Sequence, residues 1–94
     1  MKARQFSALK SLSVAFSRVT LTINKYRGTG TFSDAEMDEL YAEEGIIREA
    51  LERYAILATG GEFFTTDEDS WEVYDNRHQL IYNGCGNDIG EYSE

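Results

Sequence analysis

The apolar positions of the first third of the chain recur at helical spacing. Leu9, Leu12, Phe16, Val19, Ile23 and Tyr26 follow steps of three and four residues, the a/d rhythm of a helix–helix seam. Val19-Thr20-Leu21-Thr22-Ile23 also alternates and is rich in β-branched residues, so a strand competes there. The seam continues on both sides of that run, which favours a single helix over residues 4–27. Gly28-Thr29-Gly30-Thr31 then permits a tight reversal, because glycine takes positive φ without steric cost.

A second helix is predicted over residues 34–59. Ser33 can cap it, and Glu36 three residues later completes a capping box. Phe32 and Met37 stand at the two positions of a hydrophobic staple, and Asp34 and Glu36 bring negative charge to the first turn, where the helix dipole favours it. Met37, Leu40, Ile47, Leu51, Tyr54 and Ala58 define its apolar face, widened by Tyr41, Ala50 and Leu57. Glu44 falls on this seam and Gly45 lies inside the helix, so a local irregularity is expected there. Gly60-Gly61 is a strong stop. Two long helices joined by a short loop should pack antiparallel as a helical hairpin.

The pattern changes in the last third. Residues 62–66 read as a short strand and residues 67–70 as an acidic turn. Trp71-Glu72-Val73-Tyr74 and Gln79-Leu80-Ile81-Tyr82 alternate about a loop at residues 75–78, which predicts a β-hairpin over 71–82 with Trp71 and Val73 on one face. The glycine- and asparagine-rich segment from residue 83 onward is expected to be an irregular tail, 83–94. The predicted fold is one α+β domain over residues 1–94: an antiparallel helical hairpin of two long helices, followed by a small antiparallel β-hairpin. A lone hairpin is barely stable in water, so it must pack on the helices or on another chain.

Charge divides the chain at the same place as the loop. Residues 1–30 hold Lys2, Arg4, Lys10, Arg18, Lys25 and Arg27 and no carboxylate. All seventeen carboxylates follow, with only Arg48, Arg53 and Arg77 against them, and the net charge is −8. The expected internal use of this split is pairing of a basic helix with an acidic one across the seam. Each exposed pair of that kind contributes about 0–1 kcal/mol, enough to help set register. Glu44–Arg48 and Glu49–Arg53 have the spacing for pairs within the second helix. The chain contains no proline, which suits long helices and short turns. One cysteine, Cys85, excludes an internal disulfide, and no run of 18 apolar residues or signal-peptide core is present, so the expected location is the cytoplasm.

Candidate chemistry is sparse. His78 has no second histidine to share a metal, and Cys85 lies near Asp88 and Glu91, which raise rather than lower a thiol pKa. The acidic run at residues 67–75 lacks the spacing of a calcium loop, and neither glycine-rich segment carries a nucleotide-binding signature. No catalytic group, cofactor or metal ligand is assigned, and an enzyme is not expected. The features left are surfaces. Glu36, Glu39 and Glu43 with Asp67, Glu68 and Asp69 form the acidic candidate site, and Trp71 and Tyr74 are its candidate apolar anchors. Carboxylates one helical turn apart are spaced roughly like successive phosphates, about 5.4 Å. The expected function is therefore a small acidic inhibitor that binds a protein through its basic groove. Its target would be a nucleic-acid-handling host defence protein, in the manner of phage- or plasmid-encoded anti-CRISPR or anti-restriction proteins. A helical oligomerisation module is the first alternative, and a homodimer fits either reading. A regulator that touches nucleic acid through the basic first helix is the second, disfavoured by the seventeen carboxylates on the same body. A membrane partner is not expected.

Overall fold

In a computed structural model describing residues 1–91, two helices are followed by a four-stranded antiparallel sheet. Helix α1 is Ala3–Tyr26 and α2 is Asp34–Thr59; the strands are β1 Phe63–Asp67, β2 Ser70–Tyr74, β3 Leu80–Cys85 and β4 Asp88–Glu91. The sheet order is β1-β2-β3-β4, each strand antiparallel to the next. The α+β class and the helical hairpin are as the pattern predicts. Among the described residues no helix is long and apolar enough to cross a membrane.

Local chemistry fixes the helix ends. Ser33 Oγ accepts the Glu36 N–H at 3.2 Å, and Glu36 Oε1 accepts the Ser33 N–H at 3.0 Å, so the capping box is closed in both directions. Tyr26 and Phe32 meet edge-to-face at 5.0 Å across the loop and tie the helices together there. Gly60, at φ 75°, ends α2 in the left-handed conformation that suits a C-cap glycine. The helix runs unbroken through Gly45, and Glu44 holds its place by pairing with Arg48 at 3.4 Å.

The sheet lays one face across the helices. Trp71, Val73 and Tyr82 are buried against Leu9, Phe16, Leu51 and Ala55. Phe64, Trp71 and Tyr82 stack across three strands at centroid distances of 6.0 and 5.9 Å. Gly84 lies beneath the Trp71 indole; a Cβ there would come within 2.5 Å of both Trp71 Cζ2 and Ile89 Cγ2. The buried Ser13 hydroxyl accepts the indole N–H at 2.8 Å, which satisfies the one polar atom that Trp71 takes into the core.

Three expectations need correction. The segment predicted as an irregular tail forms the end of β3 and all of β4, because Gly86-Asn87 makes a two-residue turn with Gly86 at φ 60°; residues 92–94 of that tail lie outside the described residues. Asp67 and Ser70 are paired strand residues rather than turn residues, since the turn shrinks to Glu68-Asp69 with Glu68 at φ 53°. Tyr41, Ala50 and Leu57 do not widen the buried face of α2. They are exposed, because the sheet and α1 together cover only the side that carries Leu51 and Ala55.

Candidate protein-binding surface

The acidic residues of the candidate site fall on two separate elements. Glu36, Glu39 and Glu43 follow one another along the first turns of α2, spanning about 10 Å at 1.5 Å per residue. With Phe32 and Leu40 they line a shallow hollow of about 340 Å³. Glu39 and Glu43 are exposed. Glu36 is exposed but committed at one oxygen to the cap, and the Ser33 backbone N–H, followed by the Ser33 hydroxyl, holds its carboxyl below the ordinary glutamate value.

Residues 34–44 carry six carboxylates and no cation, and among them only Glu44 makes an ion pair with a described residue. The predicted pairing between helices does not occur: the two ion pairs among the described residues, Glu44–Arg48 and Glu49–Arg53, both lie within α2. The cations of α1 point elsewhere. Lys25 sits 5.3 Å from the centroid of the Tyr26 ring, while Lys10 and Arg18 border a hollow with Ser7, Val14 and Asn87. The acidic first half of α2 therefore keeps its charge.

The second cluster divides in the structure. Asp69 is half-buried and turned inward, where its Oδ2 accepts the Ser17 hydroxyl at 2.8 Å and the Cys85 thiol at 3.4 Å. It anchors the β1–β2 turn to α1. Asp67 and Glu68 remain exposed. Trp71 has no exposed surface and is core, so it does not serve as a surface anchor. Tyr74 is half-buried and lies on the outward sheet face with Phe63, its register partner.

The outward face of the sheet brings together charged residues that lie far apart in the sequence. The register aligns Asp67, Ser70, Cys85 and Asp88 in one row across the four strands, with Glu72 and Asn83 in the next. These rows line an open groove of about 550 Å³ that carries the carboxylates of Asp67, Glu72 and Asp88. Asp88 joins this face only because Gly86-Asn87 folds β4 back on β3. A glycine–asparagine pair between two short alternating runs is the signal that would have found it.

The reactive groups stay apart. Cys85 ends β3 beside Asp69, whereas His78 lies in the loop before that strand, packed on Phe63 at 4.5 Å. A six-residue strand separates them by about 20 Å at 3.3 Å per residue. Burial, then the Asp69 hydrogen bond and charge, then Asp88, push the Cys85 thiol up and away from thiolate chemistry. Among the described residues no three His, Cys, Asp or Glu side chains are placed to hold a metal ion. No family model, curated protein or solved structure matches the chain.

Proposed function

We propose that this protein acts by binding another protein, presenting the acidic first half of α2 to a basic groove that otherwise holds nucleic acid. The carrying observation is the row Glu36, Glu39 and Glu43. Its carboxylates make no ion pair within the described fold and flank a hollow that exposes part of Phe32 and Leu40. Unpaired charge of one sign on a rigid helix steers association with a surface of opposite sign, and an apolar floor supplies contact area once the two meet. Asp67, Glu68 and the groove carboxylates Glu72 and Asp88 form a second, separate acidic surface on the sheet. Blocking a nucleic-acid-handling defence protein is the role that such a surface suits.

Affinity capture from a bacterial lysate tests this reading. The wild-type chain should retain a nucleic-acid-binding protein, and added DNA should compete with it for that protein. The double variant Glu39→Lys/Glu43→Lys should lose the interaction while its circular dichroism spectrum stays unchanged. Undiminished capture by the double variant, or capture that DNA does not disturb, rules the reading out.

A second reading rests on a different observation. Lys10 and Arg18 border one hollow and make no ion pair, so α1 also offers positive charge to a phosphate backbone. A gel shift that weakens steeply with salt and disappears in Lys10→Glu/Arg18→Glu would favour this reading over the first.

A further inference from the structure

The outward side of α2 changes character half-way along. Residues 45–59 carry Arg48, Glu49, Glu52 and Arg53, two charges of each sign, in a chain whose net charge is −8. This neutral half also bears the two most exposed of the large aliphatic side chains, Leu57 at 72% and Ile46 at 64%. Ile46, Ala50, Arg53 and Leu57 follow steps of four, three and four residues, which places them on one line. That line runs along the side of α2 opposite Leu51 and Ala55, and all four residues are exposed.

We propose that this line binds a second copy of the chain, with the two α2 helices packed antiparallel about a two-fold axis that crosses the exposed side of α2 midway between Ala50 and Arg53. In that register Ile46 meets the partner's Leu57 and Leu57 meets the partner's Ile46, so each exposed aliphatic group covers another. Ala50 faces the partner's Arg53, and its small side chain leaves room for the arginine stem to lie along the contact. A two-fold contact must be self-complementary, and this line is.

Charge selects both the place and the direction. Copies carrying eight excess negative charges repel one another overall, and a stretch whose local charge cancels lets them approach without that cost. Glu49 and Arg53 pair within one chain at 3.6 Å, and both side chains are largely exposed. In the antiparallel arrangement the partner's Arg53 comes alongside Glu49, and four charges alternate. A parallel arrangement would oppose arginine to arginine and glutamate to glutamate, which disfavours it. The acidic residues 34–43 project beyond the end of the partner's α2, outside the paired stretch of the two helices.

This inference does not rest on the proposed partner, and its test leaves Glu36, Glu39 and Glu43 untouched. Sedimentation equilibrium of the full chain at ~500 µM should give about twice the 10.7 kDa of one chain, because a contact this small holds with at best micromolar affinity. Ile46→Glu and Leu57→Glu should each return the mass to that of one chain with an unchanged circular dichroism spectrum. Glu49→Arg alone and Arg53→Glu alone should each weaken association about tenfold or more, whereas an equimolar mixture of those two variants should restore it. A wild-type chain that stays monomeric throughout, or a dimer that survives Leu57→Glu, overturns the proposal. Failure of the mixture to recover overturns the antiparallel register.

Discussion

The hydrogen bond from Trp71 to Ser13 is the point at which the sheet is most specifically locked to the helices. Both residues have no exposed surface, and the bond measures 2.8 Å between groups 58 residues apart. Ser13→Ala removes the acceptor and leaves the indole N–H in a dry, close-packed site. The expected cost is the desolvation penalty of an unsatisfied buried donor, about 1–3 kcal/mol. For a domain of this size each kcal/mol lowers the melting temperature by roughly 4–8 °C. Urea denaturation followed through Trp71, the only tryptophan, measures the loss directly, and an unchanged denaturant slope would show that the unfolded state is unaffected. Ser11→Ala is the control: its hydroxyl is exposed and bonds only the Ser7 carbonyl, so its effect should stay within about 0.5 kcal/mol. A double-mutant cycle isolates the bond. In a Trp71→Phe background, where unfolding is followed by circular dichroism in all four chains of the cycle, there is no N–H to strand, and Ser13→Ala should then cost less than about 0.5 kcal/mol. Equal costs in the two backgrounds, or a Ser13→Ala variant as stable as Ser11→Ala, would refute the reasoning.

Other consequences follow from neighbouring contacts. Gly84→Ala should destabilise by about 1–3 kcal/mol or more through overpacking, because the new methyl meets the Trp71 ring and Ile89 at 2.5 Å; calorimetry against Gly90→Ala, where a Cβ meets nothing within 4 Å, checks it. Asp69→Ala should lower the Cys85 thiol pKa towards its ordinary value and speed alkylation at mildly alkaline pH. The thiol should still stay above its ordinary value, since burial is the larger cause of the shift; an unchanged rate would show that Asp69 does not act on the thiol. Glu36 and Asp75 both have folded-state values below their ordinary ones, the first through the Ser33 backbone N–H and the second chiefly through the Gln79 backbone N–H. Their stabilising contributions are therefore complete above the ordinary carboxylate range and are lost as pH falls through the lowered values. Glu36→Gln should flatten the stability profile below pH 4.5, the ordinary glutamate value, and a profile parallel to wild type there would contradict the role of the cap.

The helical hairpin was legible because its signals are local. Ser33, Glu36 and Phe32 act within one turn, and the α1 seam needs only its own spacing to be recognised. The sheet was legible in part, because Trp71 and Val73 alternate cleanly, whereas β4 hides behind three glycines. Gly84 reads as a breaker, yet it is there because the indole of Trp71 occupies the space of a side chain, a contact across strands that local composition does not reveal. Ser13 carries no local signal for the same reason: its partner lies in another element. Part of the candidate site failed on this account. The residue types of Trp71 and Asp69 favour interfaces and solvent, but Ser13 and Ser17 on α1 draw both inward. The pairing expected between helices also failed, because charge balance by segment says nothing about which side of each helix the charges occupy.

That last failure changes the meaning of the charge division. If the cations of α1 had faced the carboxylates of α2, most of the acidity of residues 34–44 would have been internal. Instead α2 satisfies only its own second half, where Glu44–Arg48 and Glu49–Arg53 alternate along successive turns. The boundary that matters therefore lies inside α2, near Gly45, rather than in the loop between the helices. N-terminal to it, unpaired carboxylates flank Phe32 and Leu40, an arrangement open to a surface of opposite charge. C-terminal to it, balanced charges flank Ile46 and Leu57, an arrangement open to a copy of itself. One helix can serve both contacts because they differ in electrostatic sign as well as in position: a basic partner gains nothing from the neutral half, and a second acidic chain is repelled from the first.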